Sequence, residues 1–308
     1  MKRLSMGFLL LVMAFAGCSR EQGRSDKLQV VTTLFPLYDF ARSIGGEKAQ
    51  VSMLLPPGVE PHSFEPRPEN VVRVNRADLF IYTNPLMEPW AAGMVAGLDR
   101  GRVEIVEGGK GIALMPAPEG EPHGDGHAGE HGRETADPHV WLDLDNARHI
   151  AGNILAAFVA RDPANEAYYR RNGAKLDAEL AALDERFRQT LARSPKKVLL
   201  HGGHYAFGYL AKRYGLSYIS ASAVNADAEP TPAKLAELVQ LMRRERLNYV
   251  YTEELLSPRV AETIARETGA KVLMLRAGHN VTREDLERGV SFISIMEENL
   301  RNLKTGLQ

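Results

Sequence analysis

The chain has 308 residues, 44% hydrophobic and 25% charged, which is ordinary globular usage and excludes a wholly disordered, collagen-like or multi-span membrane protein. At ~150 residues per domain its length suggests two domains. Its 38 basic and 39 acidic side chains leave a net charge of −1, against a dedicated nucleic-acid binder. A single cysteine excludes internal disulfides, Cys-based zinc fingers and iron–sulfur clusters, so any metal chemistry falls to carboxylates and the nine histidines.

In chain order, residues 1–17 read as a secretory signal. Lys2 and Arg3 precede an apolar run, Met6–Ala16, of about a dozen residues, too short to span ~30 Å of hydrocarbon. The sole cysteine, Cys18, follows Ala16-Gly17 and is expected to be the lipidated first residue of the mature chain, with residues 18–27 as a polar tether. Leu28–Thr33, Gln50–Leu55, Asp78–Thr83 and Val103–Glu107 are predicted strands. Phe35–Ile44, Glu69–Arg76 and Met87–Leu98 are the helices between them, and a proline-rich loop runs from Pro56 to Pro68. This alternation predicts an N-terminal α/β lobe over 28–161 with a mostly parallel sheet.

Gly108–Pro138 interrupts the pattern. Its core, about 119–134, carries His123, His127 and His131 among glycines and acids, cannot bury a core and is expected to be mobile. A helix from Asp145 to about Ala160 follows. Asp162-Pro163 then opens a helix to Ala192, ~45 Å long and a candidate rigid spine over 162–194, with Gly173 costing it ~1 kcal/mol. The alternation resumes over 195–308. Predicted strands are Lys197–His201, Ser217–Ser222, Asn248–Glu253 and Lys271–Leu275. Predicted helices are Tyr205–Tyr214, Thr231 to Arg246, Ser257 to Gly269, and one final helix from Thr282 to about Lys304. Two such lobes facing a cleft place ligand groups on loops after the carboxyl ends of strands.

Three histidines stand in such loops. His62 lies in GVEPHSFEP, His139 in DPHVWLD, and His204 in HGGHYAFGY at a strand-to-helix junction. Neutral imidazole suits zinc and other borderline divalent ions, and Asp137 or Asp143 is placed to orient a ring through its second N–H. His201, in His-x-x-His with His204, is a weaker candidate; His149 reads as a residue on a helix face, and Trp90 and Trp141 as packing.

GVEPHSFEP, DPHVWLD, HYAFGYLAKRYGL and TEELLSPRVAETIARETGAKVL occur in the order found in bacterial metal-binding solute receptors of ABC importers, and the chain from about Leu28 to Leu303 resembles that zinc/manganese class. The resemblance implies two mostly parallel-sheet α/β lobes bridged by one long rigid helix, with the metal in the interlobe cleft. It implies His62, His139 and His204 as ligands. Histidine at the third place resembles the zinc type, where the manganese type more often has a carboxylate. It also implies an extracytoplasmic, lipid-anchored, non-enzymatic monomer that delivers Zn2+ to an ABC permease, with His123, His127 and His131 as a secondary capture loop. Many members carry an aspartate after the strand matching Lys271–Leu275, where this chain has Arg276, which cannot bind a cation. His279, three residues on, is the favoured fourth ligand, with Glu60, Glu253, Glu254 or water as alternatives. Other readings are a manganese receptor, an adhesin, and a zinc hydrolase, since three histidines with an open position also make a catalytic pattern, although no His-Glu-x-x-His is present.

Overall fold

The computed structural model describes residues 27–62, 64–117, 136–224 and 230–308. Cys18, His123, His127 and His131 lie outside them.

The first half comprises β1 (Leu28–Thr32), α1 (Phe35–Gly45), β2 (Ala49–Met53), α2 (Pro68–Asn75), β3 (Leu79–Tyr82), α3 (Pro89–Ala96) and β4 (Glu104–Glu107). The four strands form one parallel sheet in the order β2-β1-β3-β4, with Val30 between Val51 and Leu79. β1 and β3 are covered on both faces, which explains their nearly continuous apolar sequences. α1, α2 and α3 each begin at a proline in the first helical turn, where its missing N–H costs nothing.

Within the stretch expected to be irregular, β5 (Met115–Pro116) and β6 (Ala136–Asp137) form a short antiparallel pair. Tyr209 steadies it, accepting from Met115 N at 2.8 Å and donating to Asp137 O at 3.2 Å. α4 (Leu144–Arg161) is capped by Asp143, which accepts from Asp145 N and Asn146 N. A 3₁₀ turn over Pro163–Asn165 then leads into α5 (Glu166–Ala192), 27 residues and therefore ~40 Å long.

α5 buries Tyr169, Gly173, Leu176, Leu180, Leu183, Phe187 and Leu191, one stripe at four- and three-residue steps. The structure gives Gly173 a reason: a Cβ there would lie 2.7 Å from Leu155 Cδ2 of α4, so its absence lets the helices close. Asn172 Nδ2 donates to Ile44 O of α1 at 3.0 Å. Further along, the Asp184 carboxylate accepts from Arg213 and from the Tyr214 hydroxyl. The spine thus grips both halves.

The second half comprises β7 (Val198–His201), α6 (Gly208–Tyr214), β8 (Ser217–Ser220), α7 (Pro232–Arg244), β9 (Tyr249–Thr252), α8 (Arg259–Thr268), β10 (Lys271–Met274), α9 (Arg283–Glu287) and α10 (Phe292–Gly306). Its strands are again parallel, in the order β10-β9-β7-β8. Counted within each half, both sheets run second, first, third, fourth strand: one topology used twice, without repeated sequence. α6 and α8 end at Gly215 and Gly269, both left-handed.

The final helix expected from Thr282 is two helices. Thr282 caps only α9; Gly289 turns at φ 69°, and Ser291 caps α10. No described helix is long and apolar enough to cross a membrane.

A buried histidine cluster between the two sheets

His62 sits in the loop after β2, where its backbone N–H donates to Glu60 Oε1 at 2.9 Å. It is half-buried. His139 follows β6, and Asp137 Oδ1 accepts both its backbone N–H, at 3.0 Å, and its Nδ1, at 2.8 Å. Of the two flanking acids proposed to orient a ring, Asp137 does so, while Asp143 is committed to capping α4. Asn84 donates to Pro138 O at 3.2 Å, holding the same loop from the end of β3.

His204 stands on the turn after β7. Glu253, just past β9, accepts its backbone N–H at 2.9 Å and lies 2.7 Å from its Nδ1. The turn needs Gly203: a Cβ there would fall 1.9 Å from Glu253 Oε1.

His279 is carried on the loop after β10. Glu254 accepts from Ala277 N at 3.0 Å and Gly278 N at 2.6 Å, one bond to each carboxylate oxygen. Trp141 donates its indole N–H to Ala277 O at 2.9 Å from the other side. Arg276 turns away into a buried ion pair with Asp285, at 2.7 Å.

These four loops bring four imidazoles together. His139 Nε2 lies 3.2 Å from His62 Nε2 and 3.3 Å from His204 Nε2. One nitrogen from each of His62, His139, His204 and His279 falls within 4.8 Å of the others, the one such metal-ligating group among the described residues. A tetrahedral zinc ~2.0–2.1 Å from two imidazole nitrogens separates them by ~3.3 Å, so the Nε2 spacings are those of a tetrahedron's edge. With Nδ1 of His139 and of His204 turned to carboxylates, Nε2 is the free nitrogen on both rings. Both His279 nitrogens are buried with no hydrogen-bond partner. A polar group so placed is costly unless something binds it.

The electrostatics favour a cation. Burial, helped by the charge of His204, pulls His62 down to about 4 and His279 to about 3, and His139 falls well below the usual range for the same causes. These rings are therefore neutral, as metal ligands must be. Burial acts on His204 too, but the Glu253 carboxylate outweighs it and raises that ring. Glu253 resists its own burial because His204 faces it, and is held to about 2. Asp137, beside a neutral ring, is instead raised to about 7 by burial.

The remaining sequence candidates are placed elsewhere. His201 is buried against Phe207, rings 5.0 Å apart, outside the cluster. His149 bonds Lys110 O at 2.8 Å on the exposed side of α4. Glu60, Glu253 and Glu254 each support a ligand loop through the bonds above. Glu253 as a partner of His204 and Trp141 as a brace for the His279 loop are roles that no local pattern announced.

Two lobes of like topology closing on a largely buried cluster of imidazole nitrogens define a two-lobed receptor for a small cation. Over residues 30–306 the sequence matches the family described as zinc-uptake complex component A, periplasmic, and the chain belongs to that family. It is 38% identical over 301 residues to the high-affinity zinc uptake system protein ZnuA of Bacillus subtilis, covering 96% of this chain and 94% of that one. It is 35% identical to the zinc-binding lipoprotein AdcA of Streptococcus pneumoniae over 99% of this chain but only 61% of the relative, so it spans under two thirds of that protein. The Zn(II)-bound ZnuA-like domain of S. pneumoniae AdcA superposes with a TM-score of 0.77 at 33% identity, covering 91% of this chain and 99% of that one.

Proposed function

We propose that this protein is an extracytoplasmic zinc receptor that captures Zn2+ through His62, His139, His204 and His279 and hands it to an ABC importer permease. The convergence of four imidazoles within 4.8 Å, with His139 Nε2 at a tetrahedron's edge from His62 Nε2 and His204 Nε2, supports this reading. An all-nitrogen set suits zinc better than manganese, which prefers oxygen. The role requires retention and release, not catalysis.

Around this centre, Cys18 is lipidated and anchors a monomer to the membrane, a reading supported by the relative AdcA being a zinc-binding lipoprotein, and His123, His127 and His131 offer weaker secondary sites. One acyl chain alone binds a membrane marginally, so stable attachment takes more than one.

The deciding experiment is zinc X-ray absorption combined with calorimetry on the mature chain. The expected first shell is four nitrogens, becoming three on His279→Ala. Affinity should fall at least about 100-fold for each of His62→Ala, His139→Ala and His204→Ala. A shell of three nitrogens and one oxygen that His279→Ala leaves unchanged would remove His279 from the site.

A further inference from the structure

The cluster is not equally enclosed. His139, His204 and His279 are buried, whereas His62 is half-buried, so the way to solvent passes His62 and its loop. One side chain from the opposite lobe ties that loop down at two points. Asn280, next to His279 and fully buried, donates both amide hydrogens across the cleft, to Pro56 O at 2.8 Å and Val59 O at 2.7 Å. Its Oδ1 accepts from Val281 N at 2.8 Å, which fixes the plane of the amide. Gly58 N returns a bond to Val281 O at 2.9 Å. Among side chains of this size, a primary amide alone offers two donors on one nitrogen beside an acceptor.

We infer that Asn280 is an interlobe latch that registers the His62 loop against the His279 loop and sets how slowly bound zinc leaves. This rests on the metal-site reading above. For zinc to leave past His62, residues 56–62 must lift from the second lobe, breaking both amide bonds. Truncating Asn280 leaves Val59 O without this donor in the closed state, leaves Pro56 O only the local bond from Val59 N at 3.2 Å, and removes two of the hydrogen bonds that opening must break. The cost therefore falls mainly on the release rate.

The test is stopped-flow release of zinc from the mature chain into a chelator. Asn280→Ala should release zinc roughly 10- to 100-fold faster, and Asn280→Ser, which keeps one donor, by an intermediate factor. A double-mutant cycle separates a latch from general loosening. In the Asn280→Ala background the effect of His62→Ala should shrink, while that of His139→Ala should persist. If Asn280→Ala does not fold, Asn280→Ser carries the same cycle. Wild-type release from the Asn280 variants, or full additivity with His62→Ala, would overturn the latch alone. Wild-type release from His62→Ala in the unsubstituted chain would overturn the ligand reading of His62 and the latch with it.

Discussion

The two lobes share a strand order, and each has the crevice that this order creates between its first and third strands. They fill it differently. Between β1 and β3 the occupant is Glu88, fully buried, accepting from the Thr33 hydroxyl, Thr83 N at 3.0 Å and Asn84 N at 3.2 Å. Between β7 and β9 it is Glu253, which faces His204. Both are buried carboxylates among backbone donors, yet only one touches the histidine cluster. The facing turn makes the difference: Gly202-Gly203 admits His204 to the second crevice, whereas Thr33 with its side chain closes the first. A shared topology therefore supplies a place, and the turn that meets it decides whether the place holds a ligand or a brace.

The sharpest way to break this comparison is to replace the two carboxyl groups in turn. Glu253→Gln should weaken zinc binding about 10- to 100-fold, since it strips the carboxylate from a ligand ring. Glu88→Gln should leave affinity within a few-fold. Equal losses by calorimetry would show that the first crevice serves the metal as directly as the second. Next in size, Gly202→Ala should cost about 2 kcal/mol of stability in urea melts, because the new Cβ would lie 2.7 Å from Ala261 Cβ and 2.8 Å from its backbone. Unaltered stability would mean that the glycine turn is not what distinguishes the lobes.

A smaller effect concerns pH. Burial raises Glu88 to about 7 from 4.5, so the native state holds a proton that the unfolded chain has lost. Its contribution is complete below about pH 4.5 and is lost as pH rises through about 7. Zinc-free wild type should shed roughly 1–3 kcal/mol relative to Glu88→Gln across that window. Parallel stability curves for the two proteins would show that Glu88 titrates normally.

The fold was legible because buried parallel strands read as continuous apolar runs and prolines and glycines mark most helix ends. It failed where two signals competed. The apolar spacing beyond Thr282 suggested one helix, but Gly289 and the Ser291 cap divide it. His62, His139 and His204 were visible in their loops, but their convergence is a property of the two sheets and no spacing encodes it. His279 was reachable because it follows a strand. Asp137 and Asp143 looked equivalent until Asp143 proved to be a helix cap, which the capping rule could have separated in advance. Glu253 and Asn280 act across tens or hundreds of residues, beyond any local pattern.

Trp141 gives this protein an optical property. The chain has two tryptophans, and the indole of Trp141 lies 5.5 Å from the His139 ring and 6.3 Å from the His279 ring, centre to centre. The other, Trp90, packs edge-on against Phe64 at 5.1 Å, two residues from His62. Both tryptophans therefore report on ligand loops, Trp90 on that of His62 and Trp141 on those of His139 and His279. Occupancy and loop displacement can be followed by intrinsic emission, with no label attached and no residue replaced.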